Sequence, residues 1–282
     1  MKETVKIGFQ GEKGSYSEIA ALRFFSSLKP NLLPFRSFQD LFDNVENSFI
    51  DSAIVPIENS IEGSVNETYD LLVEKNLFVT GEIYQRIRHC LIVNKQQHQH
   101  NQQFREPKTV FSHPQALAQC REFIKKKSLE PIPSYDTAGS VKYIKEHSML
   151  DASAIASKSA SEIYEMEIIE EGIEDKKNNF TRFLIISRTP TNQDNVDKTS
   201  IIFSISHTPG SLVSILKEFA SEKINLTKIE SRPTKDIPWE YYFFVDFEGN
   251  ANEIKIKTVL LNIKNLSIFF KILGSYKKAE LI

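Results

Sequence analysis

The sequence predicts an α/β protein with two lobes of alternating strands and helices, followed by a smaller βαββαβ unit. Three observations carry this reading. Short apolar, strand-like runs alternate with helical-period segments through the first 188 residues. A polar, apolar-poor stretch at 189–198 (Thr-Pro-Thr-Asn-Gln-Asp-Asn-Val-Asp-Lys) has the composition of a linker. Beyond it, the order strand, helix, strand, strand, helix, strand gives an antiparallel sheet with two helices on one face, the ferredoxin-like arrangement.

Residues 5–9 read as an apolar strand entering a loop that carries Gly8, Gly11 and Gly14. Ser15 and Glu18 have capping-box spacing ahead of a helix bearing Ala20, Ala21, Phe24 and Phe25. Phe38, Leu41, Phe42 and Val45 repeat the helical period across 37–47. Residues 53–57 form a continuous apolar run, as in a strand covered on both faces. Helix is expected again over 65–74, and 77–93 is strand-rich; the alternation predicts a largely parallel sheet. A second set follows. It comprises a strand at 109–111, a helix begun by Ser112 and Pro114 and running to about Lys127, and an extended piece from Ile132. A helix capped by Asp136, a strand at 152–156 with its helix, and a strand at 181–187 complete it. Ligand space is expected between the lobes, because open sheets bind ligands beyond the carboxyl ends of their strands. In the tail, 200–205 is a strand, and Pro209-Gly210 introduces a helix with Leu212, Ile215, Leu216 and Phe219. Strands at 226–230 and 241–246, a helix at 253–263 and a strand at 268–273 follow.

Composition narrows the function classes. The 35 basic residues are scattered and balanced by 37 acidic ones, so nothing favours nucleic acid. No apolar run approaches the roughly 20 residues a membrane span needs. The N-terminal residues lead into strand without a signal-peptide core, so a cytoplasmic location is expected. Cys90 and Cys120 read as small buried residues. Residues 94–107, rich in Gln, Asn and His, read as a solvated loop. His98 and His100 lack further ligands at metal-binding spacing, so no metal site is expected there.

Several polar groups sit where strands end. The loop from Gly8 to Gly14 has neither dinucleotide nor P-loop spacing; it reads as a turn whose backbone N–H groups at a helix start can face a carboxylate. Pro56-Ile57-Glu58-Asn59-Ser60 ends a buried strand, and Ser112-His113-Pro114-Gln115 occupies a like position, with Gln119 one turn beyond Gln115. His113 is either a helix-start residue bonded to backbone or a ligand contact. Alternation puts Thr181 and Phe183 on one face of the last strand and Arg182 on the other. Arg182 there either clamps a carboxylate or pairs with an acid inside the fold. No serine or cysteine triad, zinc set or two-metal set is visible. The residues alone thus define a bilobal binder or enzyme for a small anionic metabolite.

Read together, these clusters resemble the prephenate dehydratase family. Gly11-Glu12-Lys13-Gly14-Ser15-Tyr16-Ser17 is similar to its opening motif, and Ala53-Ile54-Val55-Pro56-Ile57-Glu58-Asn59-Ser60-Ile61-Glu62-Gly63-Ser64-Val65, with Thr68, to its most characteristic segment. Ser112 through Cys120, Asp136-Thr137-Ala138-Gly139-Ser140 and Asn179-Phe180-Thr181-Arg182-Phe183 resemble three more. In the tail, Thr208-Pro209-Gly210-Ser211-Leu212 and Ile229-Glu230-Ser231-Arg232-Pro233 resemble the phenylalanine-binding motifs of the ACT domain that accompanies the family.

The resemblance implies a bilobal, periplasmic-binding-protein-like (type II) catalytic domain over 1–188, with one lobe at about 1–80 plus 181–188 and the other at about 81–180. An ACT regulatory domain is implied over 199–282. The implied reaction converts prephenate to phenylpyruvate, water and carbon dioxide without cofactor or metal. Its implied catalytic residues are Thr181, Glu58, Asn59 and Gln119, with Thr181 as hydrogen-bond donor to the departing hydroxyl. Ser15, Tyr16, Ser17, Ser60, Thr68, Ser112, Arg182 and Phe183 are implied substrate contacts, Arg182 and the backbone near Ser15 to Ser17 meeting the carboxylates. L-Phenylalanine is the implied effector, held by Pro209, Gly210, Ser211, Leu212, Val213, Glu230 and Ser231 in a homodimer or homotetramer. Ser211 and His207 depart from the family's usual Ala and Asn or Asp. Removing residues after about Lys198 is expected to abolish phenylalanine inhibition and leave some activity. Arogenate dehydratase and a non-catalytic sensor are the competing readings.

Overall fold

The computed structural model describes residues 4–95, 106–191, 195–235 and 237–281. His98 and His100 lie outside the described residues, as does most of the loop that holds them. The first lobe is built on a sheet of β1 (Lys6–Gln10), β2 (Asn31–Phe35), β3 (Ser52–Asn59), the short β4 (Gly63–Ser64), β5 (Phe78–Arg86) and β11 (Phe180–Ser187), in the order β2-β1-β3-β11-β5. The second holds β6 (Cys90–Val93), β7 (Thr109–Ser112), β8 (Glu130–Pro133), β9 (Ala152–Ala156) and β10 (Glu167–Glu171), in the order β10-β6-β9-β7-β8. Both sheets are mixed rather than largely parallel. β11 runs antiparallel to β3 and β5, and β6 antiparallel to β9 and β10. The reason is the crossover. Each lobe receives a strand from a chain that has already visited the other, and such a strand enters reversed.

β5 belongs to the first sheet, so the chain leaves the first lobe after Arg86 rather than near residue 80, and it returns at Phe180. The two crossings lie side by side, with the Ile87 N–H donating to the Asn179 carbonyl at 2.8 Å. β2 and β10, which periodicity did not reveal, are edge strands. Pro34 is tolerated in β2 because an edge strand has a free side.

Helix α1 (Tyr16–Phe24) covers one face of the first sheet, where Ala20 and Ala21 meet Ile7, Phe9, Ile54, Phe183 and Ile185. Ser15 caps it by accepting from the Glu18 N–H. On the other face, Ala53, Val55, Ile57, Leu184 and Ile186 pack against α2 (Phe38–Glu46) and α3 (Asn66–Glu74). In the second lobe the predicted long helix breaks at Cys120 into α4 (Pro114–Gln119) and α5 (Arg121–Lys126); α6 (Thr137–Glu146) and α7 (Lys158–Ile163) follow. The glycine loop docks the lobes together. Gly14, at φ 86°, lies so close to α7 that a Cβ there would fall 2.6 Å from the Ala160 Cα. Asp136 accepts from the Glu12 N–H across the same seam, at 2.8 Å.

The C-terminal unit has β12 (Lys198–Ser204), α8 (Ser211–Ser221), β13 (Leu226–Pro233), β14 (Tyr241–Glu248), α9 (Ile254–Leu266) and β15 (Phe269–Tyr276). The sheet order β13-β14-β12-β15, antiparallel throughout, is the ferredoxin-like arrangement. Ile201, Phe203, Val245 and Phe247 face the two helices. Ile202, Phe244, Leu273 and Tyr276 face the other way and join the core of the first lobe. The sheet is thus buried on both sides, and the C-terminal unit shares a core with the first lobe. Lys271 adds a polar tie by donating to the Leu72 carbonyl at 2.8 Å, near the end of α3.

Candidate active site

A cleft of about 550 Å³ opens between the lobes. The starts of four helices converge on it: Tyr16 and Ser17 of α1, Asn66 and Glu67 of α3, Pro114 and Gln115 of α4, and Thr137 of α6. Asn59, Gln119, His89, His113, Thr181 and Phe183 also line it. Among the described residues that line it, none is Lys or Arg. A bound anion would therefore meet backbone N–H groups at the starts of α1 and α3, where the helix dipoles favour negative charge; at α4 the Gln115 N–H is taken by His113. Asp136 lines the cleft too, but its carboxylate is occupied by the Glu12 and Gly139 N–H groups.

Asn59 reaches the cleft because of a bulge. Strict alternation along β3 would put Glu58 on the same side as Ile54 and Pro56. The register against β11 instead slips, pairing Thr181 with Asn59 and Arg182 with Glu58 but Phe183 with Pro56. The extra residue turns Asn59 inward and Glu58 away. The Asn59 Oδ1 accepts from the Ile61 and Glu62 N–H groups at 2.9 and 3.0 Å, which sets the amide orientation. Its NH₂ must then donate, to Thr181 Oγ1 at 3.0 Å and Asn179 Oδ1 at 2.8 Å. With an acceptor position of Thr181 occupied in this way, its hydroxyl proton is free to point into the cleft.

The polarity propagates. The Asn179 amide donates to Gln119 Oε1 at 2.8 Å, so His89 Nε2, 2.9 Å from that oxygen, must also be a donor. Gln119 keeps its own NH₂ for the cleft. The Tyr16 hydroxyl donates to the Arg88 carbonyl at 2.7 Å and lies 3.2 Å from His89 Nδ1. Burial lowers the His89 pKa against the opposing bond from Gln119, which keeps the ring neutral. His89 and Asn179 sit on the two crossings, so the network spans the hinge. Sequence reasoning misses His89, because it is a lone histidine in the strand-rich stretch 77–93 and its partners come from distant segments.

A sign for pH follows. Below the ordinary value of 6.5, the unfolded chain takes up a proton that folded His89 resists. Its stabilising contribution is complete above that value and is lost as pH falls towards the depressed one. His113, also lowered by burial, adds in the same direction. The thermal midpoint is expected to drop between about pH 7 and pH 5, and His89→Gln to lessen that drop. Parallel midpoint curves for the two proteins would remove His89 as a source.

Other expected site residues fall outside the cleft. Arg182, 5% exposed, points through the sheet to Glu82 at 2.7 Å and Asp246 at 2.6 Å, the second of its two readings. It cannot clamp a carboxylate in the cleft, because the backbone alternation that faces Thr181 inward faces Arg182 outward. Glu58 pairs with Lys228 of β13 at 2.9 Å. Four hydroxyls are used by backbone: Ser15 as the α1 cap, Ser60 to the Asn178 carbonyl, Thr68 to the Pro56 carbonyl and Ser112 to the Ile155 carbonyl. His113 caps α4 by accepting from the Gln115 N–H, the first of its two readings, and its ring also lines the cleft. Both cysteines are buried, and burial pushes the Cys90 thiol up to about 11.

A second cavity of about 360 Å³ lies at the start of α8, lined by His207, Pro209, Ser211, Leu212, Trp239 and Phe243 among others. Gly210 caps that helix in the left-handed region, φ 90°. Val213, Glu230 and Ser231 do not line the cavity; Glu230 turns towards Lys228, and Ser231 lies on the exposed side of β13. Among the described residues there is no cluster of acidic, His or Cys side chains able to hold a metal, and no helix long and apolar enough to cross a membrane.

Two lobes around a polar cleft, joined to a ferredoxin-like unit, define a bilobal small-molecule-binding protein with a second domain attached. Residues 7–191 match the family model for prephenate dehydratase, and residues 199–265 match that for the ACT domain. Arogenate dehydratase/prephenate dehydratase 2 of Arabidopsis thaliana is 38% identical, over 96% of this chain and 72% of its own. A bifunctional chorismate mutase/prephenate dehydratase of Aquifex aeolicus is 37% identical, over all of this chain and 76% of its own. Among solved structures, prephenate dehydratase from Arthrobacter aurescens in complex with L-Phe superposes with a TM-score of 0.86 at 27% identity, covering 97% of this chain and 90% of that one. The chain belongs to the prephenate dehydratase family, whose activity is that of a hydro-lyase, and it carries an ACT domain.

Proposed function

We propose that the cleft binds prephenate and releases phenylpyruvate, water and carbon dioxide. One observation carries this: the Thr181 hydroxyl, its oxygen engaged by an oriented Asn59 amide, has its proton available to the cleft. A threonine hydroxyl is too weak an acid to protonate a leaving group outright. It acts as an aimed donor to the departing ring hydroxyl while the ring carboxylate leaves as carbon dioxide. Aromatisation supplies much of the driving force, so positioning suffices. The Gln119 NH₂ is the second donor on the same wall. The two substrate carboxylates lie against helix starts, with the backbone near Tyr16 and Ser17 one of them, and no arginine takes part.

L-Phenylalanine is the effector in this reading, taken up by the ACT domain in a cytoplasmic homodimer or homotetramer. The cavity at α8 offers an apolar wall of Leu212, Trp239 and Phe243 beside the hydroxyl-rich Ser206-to-Ser211 turn. Incubation with prephenate should yield phenylpyruvate, and with arogenate little phenylalanine. No turnover of either substrate would overturn the assignment, and preference for arogenate would transfer it to the sister activity.

A further inference from the structure

Glu58 and Arg182 are excluded from the cleft by the same geometry that admits Asn59 and Thr181, and both meet the ACT sheet. Glu58 pairs with Lys228 of β13 at 2.9 Å, and Arg182 with Asp246 of β14 at 2.6 Å. In chain terms, each cleft residue is one peptide unit from an ion pair to the regulatory domain. Glu58 and Arg182 are also opposite one another in the β3–β11 register, as Asn59 and Thr181 are. The two pairs therefore grip one spot in the sheet from behind while the catalytic pair occupies its front.

The ACT side is built for this. Along β13, Lys228, Glu230 and Arg232 alternate inward, and the last pairs with Asp70 of α3 at 3.3 Å. Lys228 also lies 3.7 Å from Glu230, a residue of the effector-like motif. On β14, Asp246 shares Arg182 with Glu82, and Lys198 of β12 closes the set at 2.9 Å from Glu82. Two positive and two negative groups are buried together there, so the set has no net charge.

We propose that Lys228 and Asp246 are positioning residues of the cleft: through Glu58 and Arg182 they hold Asn59 and Thr181 in register, so that a displacement of β13 or β14 is felt at the donor hydroxyl. The catalytic meaning rests on the function proposed above; the mechanical one does not.

Lys228 is the residue to test. Its partner Glu58 reaches solvent, so losing the charge strands no buried ion, as loss of Asp246 would. Hydrogen–deuterium exchange and steady-state turnover of prephenate are compared for the full chain, Lys228→Met and Lys228→Arg. In Lys228→Met, exchange in peptides covering 58–61 and 179–182 is expected to rise about fivefold, with α4 unmoved. Its kcat is expected to fall about tenfold, with KM within twofold. Lys228→Arg should restore both. Parent-like exchange at the two strand ends, a uniform rise across the protein, or an unchanged kcat would each overturn the proposal. A parent that does not turn over prephenate sinks the functional reading alone, because exchange still decides whether the ACT strand holds the cleft.

Discussion

Thr181→Ala is expected to lower kcat by on the order of a hundredfold or more and to leave KM within about threefold, a split that assigns the hydroxyl to the transition state. A hundredfold corresponds to roughly 2.7 kcal/mol, the value of one well-aimed hydrogen bond to developing charge in a water-poor site. Substrate binding should survive, since the helix starts that face the cleft do not depend on the threonine. Folding should survive as well. Thr181 is near the start of β11, and the freed Asn59 proton still has the Phe180 carbonyl as acceptor at 3.2 Å. Thr181→Ser keeps the hydroxyl but frees its rotation, so an intermediate loss is expected. The measurement is phenylpyruvate formation under saturating prephenate, with circular dichroism to confirm folding. A Thr181→Ala protein with near-parent kcat would take the residue out of the mechanism.

Much of this could be read from the chain, and the exceptions share a cause. The strand ends bearing Asn59 and Thr181, the helix carrying Gln119 and the caps at Ser15 and Asp136 follow from periodicity and local chemistry. Periodicity misplaces Glu58 because a bulge is a tertiary event: nothing between Ala53 and Ser60 announces that one residue will be skipped in the β11 register. Arg182 was placed on the correct face, but what waited there was another domain's carboxylate, which no local pattern could reveal. Ser60, Thr68 and Ser112 illustrate a commoner reason. A hydroxyl beside a site is as often consumed by a nearby carbonyl as offered to a ligand, and the two outcomes look identical until the backbone is in place.

Removing the ACT domain is expected to cost the catalytic domain its stability, contrary to the simpler expectation that a truncated chain loses only its inhibition. The linker composition favoured the latter. The core argues otherwise, because Val55, Ile57, Tyr69, Leu72, Leu184 and Ile186 share one apolar cluster with Ile202, Phe244, Leu273 and Tyr276 of the ACT sheet. Fully burying a large apolar side chain contributes about 1.5–3 kcal/mol. Even partial re-exposure of six such residues totals roughly 5–10 kcal/mol, comparable to the whole stability of an ordinary domain. Electrostatics softens the loss only a little: Arg182 and Glu82 keep each other at 2.7 Å, but Lys198 and Asp246 are gone. A chain ending at residue 191 should therefore be insoluble, or unfold at least about 15 °C below the full-length protein in a thermal melt followed by circular dichroism. A truncated protein that melts cooperatively near the parent's midpoint would mean that the shared cluster contributes little, and would weaken the case that the ACT sheet holds the catalytic strands. If the melt falls as expected, separating regulation from catalysis calls for point substitutions on β13 and β14, because deletion removes the wall against which β3 and β11 are built.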